Sequence, residues 1–83
     1  MNTSVLIIDD EDKLRNLLSR IVKAEGFEVL EAPDCKTGLK KLDSHEIDVV
    51  LCDVKLPDGN GVDLSLKIIE KNPFTEVILL TAY

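Results

Sequence analysis

The sequence lacks the features that mark membrane-spanning, secreted or nucleic-acid-binding chains. No apolar run approaches the length of a membrane span and no signal peptide opens the chain, so we expect a cytoplasmic location and no membrane partner. The two cysteines, Cys35 and Cys52, lie far apart without a CxxC pair, and we interpret both as reduced thiols. The net charge of −6 argues against direct nucleic-acid binding by this segment.

Several nucleotide and metal motifs are also missing. There is no GxxxxGK phosphate loop, and Gly59 and Gly61 neither follow a strand directly nor have the third glycine of a dinucleotide fingerprint. A calcium-binding EF-hand loop would need oxygen ligands where Lys55 and Pro57 stand. A phosphohydrolase with an aspartyl nucleophile usually has a second Asp two residues on, and Lys55 occupies that place after Asp53.

The length and composition indicate one small folded domain. A chain of 83 residues buries only roughly 60–65% of its unfolded surface, which leaves a single small core. Hydrophobic residues make up 45% of the sequence, too many for a disordered segment.

Hydrophobic patterns predict four strands that alternate with three helices. Strands are predicted at residues 4–8, 27–31, 48–52 and 77–80. The first helix has an apolar stripe and is stopped by Gly26, the second is capped by Asp34 and ends near Ser44, and the third runs over about residues 62–71. The stripe of the first helix comprises Leu14, Leu17, Leu18, Ile21 and Val22. This β-α-β-α-β-α-β order predicts a parallel sheet with crossover helices. Because no turn, cap or polar tail follows the fourth strand, we expect a truncated domain.

Carboxylates follow the first and third predicted strands. Asp9 and Asp10 end the first, and Asp53 ends the apolar run of the third. In a parallel sheet these strand ends lie at one edge, where open α/β sheets bind ligands. Like charges raise each other's pKa, and a divalent cation such as Mg²⁺ removes that cost. We therefore predict a magnesium site with Asp53 as a nucleophile, although acids after the first strand also suit a helix N-terminus.

The neighbouring polar residues have a structural and a functional interpretation each. Lys55 is either a solvated loop lysine or a metal ligand through its backbone carbonyl. The turn at residues 58–61 is predicted to use positive φ at glycine and to bring the loop close to the site, although an ordinary turn would also fit. Thr81 ends the fourth strand. It is either a residue that simply favours strand structure or one whose hydroxyl binds a phosphoryl group on Asp53. His45 is treated as a surface residue.

Three motifs over the whole chain resemble the receiver domain of two-component response regulators. They are residues 7–11 (IIDDE), 53–61 (DVKLPDGNG) and 79–82 (LLTA), and the segments around 71–73 and 80–83 are similar to the NtrC-like subfamily. The resemblance implies a flavodoxin-like (CheY-like) three-layer α/β fold with sheet order 2-1-3-4. It also implies a phosphoryl group passed from a sensor histidine kinase to Asp53, followed by control of an output domain, which we expect to be transcriptional.

The resemblance assigns roles to individual residues. Asp53 would be the phosphoacceptor, Asp10 would bind Mg²⁺ directly, and Asp9 would bind it more through water. The Lys55 carbonyl would complete the ligands, and Thr81 would be the hydroxyl that moves to the phosphoryl group. The family has a further strand with a lysine that pairs with the phosphoryl group, and this chain ends before it. Such a domain accepts a phosphoryl group and is not a turnover enzyme.

Two further expectations follow from this topology. Right-handed crossovers place the first helix on one face of the sheet and the other two on the opposite face. One helix cannot cover four strands, so alternate apolar residues of the third and fourth strands would face water, and we expect self-association. The alternative function is a receiver-like protein-interaction module that is not phosphorylated.

Overall fold

Three helices alternate with the strands of a parallel sheet in the computed structural model, which describes residues 2–80. Each predicted element is present, with bounds that shift by one or two residues, and two short strands are added. The elements are β1 (Ser4–Ile8), α1 (Asp12–Ala24), β2 (Glu28–Ala32), α2 (Cys35–Ser44), β3 (Val49–Asp53), β4 (Lys55–Leu56), β5 (Gly59–Asn60), α3 (Gly61–Lys71) and β6 (Glu76–Leu80). Thr81 lies outside the described residues. Within residues 2–80, none of the helices has the length and apolar character needed to cross a membrane.

The sheet has the predicted strand order. Its four strands are parallel and run β2-β1-β3-β6, so that β6 is the fourth strand of the 2-1-3-4 prediction. In the register, Ile8 at the end of β1 lies opposite Ala32 of β2 and Cys52 of β3. The carboxyl ends of β1 and β3 are therefore level, and the residues that follow them meet at one edge.

The main core lies between the sheet and the pair α2 and α3. Alternate side chains of β1, β2 and β3 pack against apolar residues of these two helices and of the loop before β3. The core residues are Leu6, Ile8, Ala32, Leu42, Ile47, Val50, Cys52, Leu64 and Ile68. The predicted placement of the second and third helices on one face is confirmed by this shared core and by their mutual contact.

Helix α2 lies close to the sheet because of a small residue. Gly38 is buried, and a Cβ built on it would lie 2.6 Å from Cδ1 of Ile8. The Asp34 side chain accepts a hydrogen bond from the Thr37 amide at 2.7 Å, which confirms the predicted N-cap. The backbone of α2 can therefore approach β1 directly.

Only part of the apolar stripe of helix α1 is covered by the sheet. It contacts β1 and β2, but Leu14, Leu17 and Ile21 are exposed, the last by 53%. Ser19 is buried instead. On the same sheet face, Ile78 of β6 is 49% exposed, and the main sheet contacts of α1 are with β1 and β2. The expected exposure on this face is thus present at Ile78 of the fourth strand, whereas Val49 and Leu51 of β3 are partly buried.

The segment after β3 differs from the predicted turn. Residues 55–60 form a small antiparallel hairpin in which Lys55 lies opposite Asn60 and Leu56 opposite Gly59. The prediction of positive φ in this turn is wrong, because among residues 2–80 only Gly26, after α1, has a positive φ, of 94°. The hairpin turns without left-handed backbone, and Gly61 is needed for a different reason, given below.

Candidate functional site

Three carboxylates meet at the carboxyl edge of the sheet. Asp9 and Asp10 follow β1, and Asp53 is the last residue of the neighbouring β3. One oxygen from each of the three lies within 4.8 Å of the others. This acid cluster is the arrangement that the strand-end pattern predicts, and its spacing suits a single small cation.

Asp9 is the buried member of the acid cluster. It is 2% exposed, and its Oδ1 accepts a hydrogen bond from the Glu11 amide at 2.8 Å. Burial raises the pKa of the Asp9 carboxyl, the Glu11 amide lowers it, and the charges of Asp53 and Asp10 raise it further. The ionised form of Asp9 is therefore costly in this place, and a bound cation would offset that cost.

The other two members are more accessible. Asp10 is exposed and Asp53 is partly buried. Oδ1 of Asp53 accepts a long hydrogen bond from the Lys55 amide at 3.4 Å. Part of the Asp53 residue is therefore accessible to solvent, while the strand fixes its backbone.

The acidic run after β1 divides into two parts with different roles. Asp12 lies in the first turn of α1 and accepts a hydrogen bond from Arg15 at 2.7 Å, as the helix N-terminus interpretation expects. Asp9 and Asp10 precede the helix and face Asp53 instead. The helix N-terminus interpretation thus fits Asp12, and Asp9 and Asp10 remain candidate metal ligands.

Arg15 supports the turn that carries Asp9 and Asp10. Its Nη1 donates to the carbonyl oxygen of Asp9 at 2.7 Å, and its Nε donates to Glu31 of β2 at 3.1 Å. Its side chain is only 13% exposed. Sequence reasoning missed this residue; the available signal was a basic residue within an apolar helix face, three positions after Asp12.

Gly61 allows the hairpin to return close to β3. A Cβ on Gly61 would overlap the carbonyl oxygen of Asp53, and the Gly61 amide donates to the carbonyl of Val54 at 2.7 Å. The glycine is thus required by close backbone approach rather than by its φ angle. Lys55 starts the hairpin beside Asp53, which places its backbone next to the acid cluster.

The remaining candidates lie apart from the acid cluster. His45 is exposed, as predicted, and contributes with Glu28 and Asp48 to a cleft at the amino ends of the strands. Cys52 is buried in the core, and Cys35 is partly buried against it. Thr81 lies outside the described residues, so its position relative to Asp53 stays a prediction.

The family comparison agrees with this geometry. Residues 5–83 match the model of the response regulator receiver domain. The chain belongs to this family.

Curated relatives share most of this chain but are longer. The transcriptional regulatory protein CpxR of Escherichia coli K12 is 41% identical over 78 residues, which are 94% of this chain and 33% of CpxR. A cyclic di-GMP phosphodiesterase of Thermotoga maritima is 40% identical over 80 residues, which are 96% of this chain and 21% of that protein. The chain thus spans a third or less of the length of these two relatives.

Solved receiver structures have the same fold. A CheY-like receiver domain protein from Methanospirillum hungatei has a TM-score of 0.96 at 31% identity, covering 100% of this chain and 66% of that one. The response regulator TrrA from Thermotoga maritima, in complex with Mg²⁺ and BeF, has a TM-score of 0.92 at 34% identity, covering 98% of this chain and 70% of that one. TrrA in complex with the histidine kinase ThkA has a TM-score of 0.90, with the same identity and coverage.

Proposed function

We propose that this chain accepts a phosphoryl group from a sensor histidine kinase onto Asp53. The observation that carries the proposal is the position of Asp53 at the carboxyl end of β3, with oxygens of Asp9 and Asp10 within 4.8 Å. A rigid, accessible carboxylate beside two others is a nucleophile next to a cation site. The TrrA complexes with Mg²⁺ and BeF and with a histidine kinase support this proposal by analogy.

The donor set fits Mg²⁺. The three carboxylates supply the oxygen ligands that this ion prefers, and burial with neighbouring charge makes Asp9 costly when it is ionised and uncompensated. Asp10 and Asp53 would be direct ligands, Asp9 would act more through water, and the Lys55 carbonyl would complete the protein ligands. When bound, the ion neutralises the equatorial oxygens of the transferring phosphoryl group.

The transfer step is an in-line displacement at phosphorus. A carboxylate oxygen of Asp53 forms the new O–P bond as the N–P bond of a phosphohistidine breaks, and the electron pair stays on the imidazole nitrogen. With acetyl phosphate, the leaving group is acetate. The product is an acyl phosphate on Asp53, so the chain is consumed as an acceptor and does not turn over as an enzyme.

Several finer roles belong to the same proposal. Thr81 would supply the hydroxyl that moves to the phosphoryl group. The NtrC-like subfamily is supported by the sequences around residues 71–73 and 80–83, whereas the relatives above are named CpxR and a cyclic di-GMP phosphodiesterase. The names of these two relatives indicate different output activities. Of the two, only CpxR supports the proposal that the output of this chain is transcriptional. A cytoplasmic location would suit contact with such a kinase.

A second candidate function is a protein-interaction module that is not phosphorylated. It is favoured by the exposed apolar side chains on both sides of the sheet. On the α1 side these are Leu14, Leu17, Ile21 and Ile78, and on the α3 side they are Val62, Leu66, Ile69 and Leu79. Self-association through such surfaces is compatible with either function.

Labelling with acetyl phosphate separates the two functions. The wild-type chain is incubated with acetyl phosphate and Mg²⁺, and intact mass is measured before and after acid or hydroxylamine treatment. We expect one labile phosphoryl group, absent in Asp53→Asn and present in the matched control Asp43→Asn, whose carboxylate is exposed on α2. Wild type that stays unlabelled would favour the interaction module, and equal labelling of Asp53→Asn would place the nucleophile elsewhere.

A further inference from the structure

A six-residue hairpin connects the acid cluster to the N-terminus of α2. Its strands β4 and β5 pair antiparallel, with Pro57 and Asp58 at the tip. The base of the hairpin begins two residues after Asp53, whereas the tip reaches the start of α2 at Cys35. One short element thus contacts two parts of the molecule that are distant in sequence.

The tip of the hairpin is attached to α2 by both oxygens of one carboxylate. Oδ1 of Asp58 accepts from the Cys35 amide at 2.8 Å, and Oδ2 accepts from the Lys36 amide at 3.0 Å. These are the first two amides of the helix, which have no acceptor within it. The N-cap Asp34 serves a different amide, that of Thr37. Asp58 therefore supplies bonds that α2 does not provide for itself.

The contact has the properties of a strong attachment. The amides of Cys35 and Lys36 hold the pKa of the Asp58 carboxyl below its usual range, so both bonds are charge-assisted at neutral pH. The negative charge also lies at the positive end of the helix dipole. Next to it, Gly59 packs against Cys35, since a Cβ on Gly59 would lie 3.2 Å from the Cys35 Sγ.

The base of the hairpin is equally constrained. The Gly61 amide donates to the Val54 carbonyl at 2.7 Å, and the Lys55 amide donates to Oδ1 of Asp53 at 3.4 Å. A Cβ on Gly61 would overlap the Asp53 carbonyl, so the two backbones lie in direct contact at the base. Lys55, at the base, is thus linked through this short hairpin to Asp58 at the tip.

We propose that Asp58 is a positioning residue that couples the acid cluster to α2 by holding the hairpin between them. This inference rests on the proposed function, because Lys55 enters it as a metal ligand through its carbonyl. Asp58 fixes the position of the Lys55 carbonyl without itself contacting the cation. Coupling is reciprocal, so cation binding at the cluster strengthens the bonds from Asp58 to the amides of Cys35 and Lys36.

Magnesium affinity of three variants tests the first half of the coupling. Asp58→Ala removes both acceptor oxygens, Asp58→Asn keeps one acceptor, and Asp43→Asn removes the same charge from an exposed site on α2. We expect roughly fivefold weaker binding or more for Asp58→Ala, the low end of typical couplings, a smaller loss for Asp58→Asn and almost none for Asp43→Asn. Circular dichroism checks folding, and Asp58→Asn carries the test if Asp58→Ala does not fold.

Amide hydrogen exchange, measured by NMR with and without Mg²⁺, tests the reciprocal half. In wild type, Mg²⁺ should slow exchange at Cys35 and Lys36, and in Asp58→Asn this response should shrink. A purely structural contact would give faster exchange in the variant but no response to Mg²⁺ in wild type, which would overturn the coupling. Equal loss of affinity in all three variants would also overturn it, since charge alone would then account for the effect. Wild type that binds no Mg²⁺ would instead overturn the proposed function, and the coupling with it.

Discussion

Gly61 lies so close to Asp53 that a Cβ on the glycine would overlap the carbonyl oxygen of the aspartate. The contact joins the start of α3 to the end of β3, and it closes the hairpin between them. The proposed phosphoacceptor is thus held by the return of its own loop as well as by the sheet.

Replacement of Gly61 by alanine should therefore destabilise the domain. We expect Gly61→Ala to lower the free energy of unfolding by about 1–3 kcal/mol, the usual cost of overpacking, because the methyl group meets backbone that cannot rotate away. Urea unfolding monitored by circular dichroism measures the change. Gly59→Ala is the matched control, since its Cβ would meet only the Cys35 Sγ, at 3.2 Å. Equal stability of Gly61→Ala and wild type would show that the loop can separate from β3 at little cost.

Removal of the Asp10 carboxylate should weaken Mg²⁺ binding. Asp10 is the exposed member of the acid cluster, so Asp10→Asn should remove a ligand charge with little change in packing. We expect roughly a tenfold or larger loss of affinity, which corresponds to about 1.4 kcal/mol. Isothermal titration calorimetry would measure it, with Asp12→Asn as the control, because Asp12 pairs with Arg15 outside the cluster. If Asp10→Asn binds as tightly as wild type, Asp10 is not a ligand.

Both thiols should react slowly in the folded protein. Burial, with the nearby Asp58 carboxylate, raises the pKa of Cys35 to about 11, and burial raises that of Cys52 to about 12. At about pH 8 a thiol with the ordinary pKa of 9.0 is roughly one tenth ionised, whereas Cys35 would be ionised on the order of one part in a thousand. Alkylation by iodoacetamide, followed by mass spectrometry, should be far slower in the native protein than in urea. Equal rates in the two conditions would contradict the raised pKa values.

The same shifts set a direction for stability at alkaline pH. The folded state keeps thiol protons that the unfolded state releases above its ordinary pKa of 9.0. The contribution of the thiols to the free energy of unfolding is therefore constant below about pH 9. It falls as the pH rises from there toward about 11. Urea unfolding curves at about pH 8 and pH 10 would measure this trend. Because other groups also lose protons at alkaline pH, a variant with both cysteines replaced by alanine is the reference.

Self-association is expected from the exposed apolar residues of β6 and α1. Strand β6 is one of the two edges of the sheet among the described residues, and Ile78 on it is 49% exposed. Burial of such surface contributes about 25 cal/mol per Å² of apolar area. Light scattering at micromolar concentration should report a dimer or larger species, and Ile78→Glu should shift it toward monomer. Phe74→Glu is the control, since Phe74 is 97% exposed in a loop. A monodisperse wild-type monomer would contradict the expected self-association.

The sequence by itself determined the order of the main elements and the residues at the strand ends. Apolar runs that stop abruptly at Asp9 and at Asp53 are local signals, and so is the N-cap at Asp34, because each depends on side chains within a few residues. The strand order was implied by the family resemblance, and this order places Asp9 and Asp10 beside Asp53. These parts of the prediction agree with the structure.

The tertiary structure decided the contacts that join distant segments. The hairpin at residues 55–60 has strands of two residues each, too short for any hydrophobic period to reveal. The turn composition of residues 58–61 predicts a positive φ at glycine, whereas the need for glycine at Gly61 comes from the backbone of Asp53 across the loop. Asp58 lies 23 positions from Cys35, and the exposed side of α1 depends on which strands it covers. Each of these depends on packing between elements, which local residue patterns do not encode.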